Sequence, residues 1–333
     1  MKYACLVASV TALASTVIAQ QSPQSTPKTW AQQTAGLERH DGFIPFYLDQ
    51  KTGKLLLEVS RLDQDFLYLY SLSTGLGSND RGLDRGTTGD QGVVRFERFG
   101  PRIFLVRRNL DFRASRDTVE ERTVEESFAT SVLASFPILA EEGNRVLVDA
   151  SDFVLQDVFD VRGSLQRGQQ GSFRLDRNRS AIYPARTKAF PKNTEVEVLL
   201  TFESDAPGND VARHTPDARA LTLREHHSFV ELPDNGYKPR VFDPRVGIFS
   251  VDFYDFSLPF NRRPQVRWAV RWRLEKKDPN AALSDPVKPL VYYLDRGIPE
   301  PYRTAFKQGA AWWNKTFEAA GFTNAFRVED LPD

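Results

Sequence analysis

The sequence predicts an α+β protein: a mainly antiparallel β region with one or two helices, then a strand, a helix and a strand that open an α/β unit. Three observations lead there. Short apolar runs separated by Gly- or Pro-bearing turns recur from Phe43 to Leu223. Helical spacing is confined to two stretches, Thr118 to Phe136 and Tyr302 to Phe317. Strands therefore do not alternate with helices, which argues against a parallel doubly wound sheet.

The chain begins with Lys2, an apolar run from Ala4 to Ile18, and Val17-Ile18-Ala19 ahead of Gln20. This pattern reads as a signal peptide over residues 1–19, cleaved after Ala19, and places the protein in the periplasm or the medium. The run falls short of the roughly 20 residues a spanning helix needs, and no later segment qualifies. The single cysteine, Cys5, lies in the part to be removed, so the mature chain has neither disulfide nor thiolate. Residues 20–36 are rich in Gln, Ser, Pro and Thr and read as a disordered linker.

FIPFYL and KLLLEV flank the turn Asp49 to Gly53, and FLYLYSL follows Asp65, which predicts a small antiparallel β unit over 37–75. Gly75 to Gly92 reads as a mobile surface loop. Its glycines do not form G-x-G-x-x-G before a helix. Asp80, Asp84 and Asp90 lack the spacing of an EF-hand. Val93 to Arg113 is a hairpin turning at Phe99-Gly100-Pro101. Thr118 and Glu121 resemble a capping box, and Val124, Phe128, Val132 and Phe136 extend a helix to Pro137. Arg145 to Asp149 is a strand, and SDFVLQDVF is a strand or a short helix. Arg162 to Gly171 is a polar loop. Further strands fall at Phe173–Leu175, Ala181–Pro184, Glu195–Phe202 and Ala220–Leu223. In Arg267 to Leu274, Trp268, Val270, Trp272 and Leu274 occupy one face and Arg267, Arg271 and Arg273 the other, a half-buried strand. An α+β domain thus spans 88–275.

Lys276 to Pro289 contains three prolines and marks the domain boundary. Beyond it, Leu290 to Leu294 is a strand. Tyr302, Phe306, Ala310, Trp313 and Phe317 line one helix face, Gly321 stops that helix, and Phe326 begins another strand. Residues 289–333 are too few to bury a core of their own.

Lys plus Arg and Asp plus Glu both number 44, so no net field attracts a polyanion, which argues against nucleic acid as a partner. The four histidines are His40, His214, His226 and His227. None are spaced as in H-E-x-x-H, which places two imidazoles on one helix face. His226 and His227 are strand neighbours whose side chains point to opposite faces. No G-x-S-x-G elbow occurs. Glu120-Glu121, Glu125-Glu126 and Glu141-Glu142 read as solvated faces. Asn178-Arg179-Ser180 and Asn314-Lys315-Thr316 fit the N-glycosylation pattern. No catalytic, cofactor-binding or metal residue is assigned.

Six segments carry a collinear family resemblance over nearly all of the mature chain: TGLGSNDRGLDRG, FERFGPRIFLVRRNLDFRA, EESFATSVLASFPILAE, GYKPRVFDPRVGIF, RWRLEKKDP and AWWNKTFEAAGF. Together the sequence resembles the N-terminal region of secreted bacterial zinc-dependent metallopeptidases of the metzincin type, in which uncharacterised domains precede the peptidase domain. The resemblance implies that 289–333 is the truncated start of a zincin catalytic domain. It also implies that the zinc-binding helix lies beyond Asp333 and that zinc belongs to the full-length protein only. The chain alone is then inactive. It acts as a pro-region or scaffold, its partners being the missing catalytic domain and, for the whole enzyme, a peptide or protein substrate. Asp243 in FDPRVG reads as a turn-forming Asp-Pro, the alternative being a carboxylate that reaches that zinc in a latent form. The alternative is a stand-alone exported module that binds a glycan or a partner protein.

Overall fold

The structure, a computed structural model, describes residues 28–77, 80–234 and 236–332. The leader read at 1–19 and the first part of the linker lie outside the described residues. The described chain forms two units. The first comprises the described residues of Met1–Leu110 with Phe128–Pro233, and the second comprises Asp111–Ser127 with the described residues of Asp234–Asp333. The division falls at Pro233 and not in the connector at 276–289. None of the described helices is long and apolar enough to cross a membrane.

The first unit opens with α1 (Trp30–Thr34), β1 (Glu38–His40), β2 (Phe46–Asp49), β3 (Lys54–Val59), β4 (Phe66–Leu72), β5 (Thr88–Phe99) and β6 (Arg102–Arg107). The chain then passes through β7 (Phe112–Arg113) and α2 (Val119–Ser127) of the second unit. It returns as β8 (Ser131–Glu142), β9 (Arg145–Asp149), α3 (Ser151–Val154), α4 (Val161–Arg167), β10 (Arg174–Ile182), β11 (Lys188–Phe190), β12 (Asn193–Glu203), α5 (Asn209–His214) and β13 (Ala220–Val230). These strands make one twelve-stranded sheet in the order β1-β2-β3-β9-β8-β6-β5-β4-β13-β12-β10, with β11 also on β12. Every pairing in it is antiparallel. The sheet curls into a half barrel.

Period-2 alternation builds the core on one face. Val196, Val198, Leu200 and Phe202 of β12, and Leu221, Leu223 and Phe229 of β13, are buried with Leu57, Phe66, Phe96 and Leu105. The short helices add Phe153, Val154, Val161, Leu165 and Val211 to the same cluster. A smaller cluster joins Trp30, Tyr47, Leu56, Ala140 and Leu147.

Several expectations are corrected. The strands of 37–75 are not a separate unit, because β4 pairs with both β13 and β5. Part of the expected linker is the helix α1, closed by a capping box between Thr29 and Gln32 and anchored by buried Trp30. The described residues of the glycine-rich stretch after β4 are fixed, since Leu76 and Leu83 are buried and the Leu76 amide donates to the Leu83 carbonyl at 2.8 Å. The helix expected to reach Phe136 ends at Ser127, and 131–142 is the strand β8. Two partners, β6 and β9, outweigh the helical spacing there, and Val132, one of its four apolar markers, lies exposed. The polar loop at 162–171 contains α4, nucleated by the Asp160 carboxylate accepting from the Gly163 amide and by buried Val161 and Leu165.

The second unit continues with β14 (Ser250–Asp255), β15 (Gln265–Ala269), β16 (Leu290–Leu294), α6 (Tyr302–Ala311), α7 (Trp313–Ala319) and β17 (Phe326–Asp330). β14 pairs antiparallel with β15 and parallel with β7. The strand expected to run to Leu274 ends at Ala269, leaving Val270 and Trp272 exposed. The strand-helix-strand order holds, and β16 and β17 pair in parallel. Arg303 and Lys307 of α6 reach Asp330 at 2.7 and 2.8 Å, and Phe317 stacks on Phe326.

Candidate functional site

Two of the most deeply buried polar groups among the described residues lie on β13, between β4 and β12. Along ALTLREHHSFV the inward positions are Leu221, Leu223, Glu225, His227 and Phe229, so an acid and an imidazole stand where apolar residues are the rule. Both are fully buried.

His227 sits between the rings of Tyr68 and Phe153. Its Nε2 faces the Val154 carbonyl at 2.9 Å, so that nitrogen carries the proton, and Nδ1 accepts from the Tyr68 hydroxyl at 2.9 Å. Burial drives its pKa down to about 4, against the opposing Val154 hydrogen bond. Burial also raises the Tyr68 hydroxyl well above the usual phenol range. The imidazole is thus neutral with both nitrogens engaged.

Glu225 accepts from the Phe159 amide through Oε2 at 3.3 Å, whereas Oε1 meets no donor. Burial, followed by the charge of Asp157, pushes its pKa up to about 9. The Asp157 carboxylate is already fixed by the Val161 amide at 2.7 Å, the Arg162 amide at 3.1 Å and the Arg162 guanidinium at 2.9 Å. Two acceptors in contact are compatible only when one is protonated, so Glu225 carries the proton and gives it to Asp157.

The outer face of the same strand holds an ionic network. His226 donates through Nε2 to Glu195 at 2.7 Å and through Nδ1 to Glu197 at 3.3 Å. Burial opposes its charge, but the hydrogen bonds and charges of both glutamates prevail and push its pKa up to about 9. Glu197 also accepts from Arg224 at 2.7 Å and from Ser73 at 2.9 Å, and Glu195 accepts from Ser228 and Asn193. Burial resists ionisation of both acids, yet these donors hold them below the usual carboxylate range. Two cations balance two anions.

This arrangement stores protons and fixes strands. Every ring nitrogen of His226 and His227 is engaged within the protein, so this cluster does not fit zinc. His40 stacks on Phe46, and His214 Nδ1 bonds the Asp210 carbonyl at 2.6 Å. Among the described residues no three His, Cys, Asp or Glu are grouped to hold a metal ion. The remaining sequence candidates are dispersed. Asp90 pairs with Arg107, Glu141 with Arg98 and Glu142 with Arg145. Asp243 is engaged by the Arg245 guanidinium at 2.6 Å, which holds it below the usual range. Asn178 is exposed, whereas the Asn314 amide bonds the Phe326 backbone at 3.0 and 3.2 Å.

Sequence reasoning missed the Glu225–Asp157 pair. The available signal was the continued alternation through Leu221 and Leu223 to Phe229, which assigns position 225 to the core.

Fold and clusters together define a curled antiparallel β protein with titratable groups built into both faces of one central strand. The chain belongs to the family described as a domain of unknown function, DUF5117, whose profile matches residues 86–277. No curated protein and no solved structure matches it.

Proposed function

We propose that this chain is the non-catalytic N-terminal part of an exported zinc-dependent metallopeptidase, a pro-region or scaffold for a catalytic domain that supplies the zinc-binding helix. The resemblance of the six collinear segments motivates this reading, and one observation in the second unit carries it. Tyr292 and Tyr293 of β16, Tyr302 and Phe306 of α6, and Trp312 and Trp313 at the α6–α7 junction are each at least 51% exposed. Six large aromatic side chains on one short strand-helix-strand exceed what scattered surface residues explain. A parallel pair such as β16–β17 is ordinarily an interior part of a larger sheet covered by helices on both faces. Additional strands and helices of a catalytic domain would provide that cover.

The test begins with the genomic reading frame downstream of Asp333. The expected result is continuation into an H-E-x-x-H helix, with the extended product binding one zinc and cleaving peptides while the 333-residue chain does neither. Tryptophan emission should also shift to the blue in the longer product. A stop codon directly after Asp333, or an extended product that neither binds zinc nor cleaves peptides, would overturn the reading. The stop codon would favour an exported module for a glycan or partner protein.

A further inference from the structure

The first unit contains a cavity of about 140 Å³ where β3, β4 and β13 end. Phe43, Ile44, Val59, Phe66, Phe96 and Leu232 form the apolar part of its wall, and the neutral Ser60 and Gln64 and four charged residues complete the lining. Phe66 stands 5.9 Å from Phe43 and 5.2 Å from Phe96, centroid to centroid, so the lining is an aromatic corner. The wall is also held in place from outside. Thr194 Oγ1 accepts from the Ile44 amide at 3.0 Å and donates to the Ile44 carbonyl at 2.8 Å, and the Asp63 amide donates to the Phe96 carbonyl at 2.8 Å. A cavity fixed in this way loses little freedom when filled.

The charges around it decide what can enter. Glu58 is matched by Arg39 and Arg145, both at 3.1 Å. Arg61 pairs with Glu231 at 3.5 Å and lies over the Phe43 ring at 4.9 Å, and Asp65 pairs with Arg108 at 3.3 Å. Every charged lining residue therefore has a counter-charge within the protein. An ionic ligand would lose its hydration without gaining a partner, whereas a neutral apolar group would only shed water. An apolar cavity of about 150 Å³ is enough to take up benzene.

We propose that this cavity is a binding site for a neutral apolar group the size of a phenyl ring or a branched aliphatic end. The inference is independent of the metallopeptidase reading. The group belongs either to a free small molecule or to a side chain of a polypeptide, and the probes separate these sources.

The full chain would be titrated with toluene, N-acetyl-phenylalaninamide, phenethylamine and 3-phenylpropionate, following the methyl resonances of Ile44 and Val59. At least one neutral probe should produce saturable shifts, with the charged congeners about tenfold weaker or worse. Preference for toluene assigns a free molecule, and preference for the amide assigns a peptide side chain. Leu232→Trp at the mouth should weaken binding about tenfold without altering the melting temperature. Gln64→Trp serves as a second plug should the first variant not fold. The proposal is overturned by the absence of saturable shifts with both neutral probes, by equal affinity for either charged congener, or by plugged variants that bind like the wild type.

Discussion

His226 and His227 are neighbours in one strand and hold opposite charge states, His226 protonated between Glu195 and Glu197, His227 neutral between Tyr68 and the Val154 carbonyl. Nitrogen-15 NMR across the pH range should show His226 charged up to about pH 9. His227 should remain the Nε2–H tautomer down to about pH 4. Two imidazoles that titrate together near 6.5 would contradict both environments.

Glu225→Gln should stabilise the protein at neutral pH. A carboxyl whose folded pKa is raised to about 9 contributes stability that is complete below its ordinary value of 4.5 and is lost as pH climbs through 9. At pH 7 the loss is roughly 3 kcal/mol. Glutamine donates to Asp157 without needing that proton. Urea unfolding should show the gain at pH 7 to 8 and little change near pH 4.5. A variant less stable than wild type at pH 8 would refute the assignment.

Between pH 6.5 and 9, folding should take up protons at both Glu225 and His226, because each is raised to about 9 in the folded state. The His226 contribution is complete below pH 6.5 and disappears toward 9. Stability should therefore fall by roughly 2 to 3 kcal/mol per pH unit in that window. Removing either group should halve the slope. His227 acts on the other side. Its depressed pKa costs stability as pH drops from 6.5 to about 4.

Trp30→Ala should cost about 3 kcal/mol, the range for emptying a buried aromatic position. The ring is 8% exposed, its indole NH donates to the Tyr47 hydroxyl at 3.4 Å, and Arg145 lies over it at 4.7 Å. Thermal unfolding of the variant measures the loss. No change would mean that α1 is dispensable.

Gly75→Ala should destabilise by about 1 to 3 kcal/mol, whereas Gly247→Ala should be silent. A Cβ at Gly75 would meet the Leu83 carbonyl oxygen at 2.4 Å and the Arg85 amide at 2.5 Å, while Gly247 faces open space. Comparing the two melting temperatures separates a backbone clash from a general glycine effect.

Strands such as β3, β4 and β12 are legible because alternation or apolar runs with flanking turns set them apart locally. The strand-helix-strand at the C-terminal end is legible for the same reason, Gly321 adopting φ +90° as the helix stop. What the sequence hides is partnership. Residues 131–142 carry helical spacing, and only the flanking β6 and β9 make them a strand. The Glu225–Asp157 pair joins β13 to the loop before α4, a contact between residues far apart along the chain. Which histidine would be charged depends on glutamates of another strand.

The residue-for-residue match of β13 to β12, from Ala220 opposite Glu203 to Val230 opposite Asn193, gives the sheet a means of rejecting its own errors. Sliding one place along would drive Arg224 and His226 into the greasy interior and expel Leu223 and Phe229 into water. Misaligned intermediates would thus be penalised twice, by stranded ions and by forfeited contacts, so this seam proofreads its alignment as it closes.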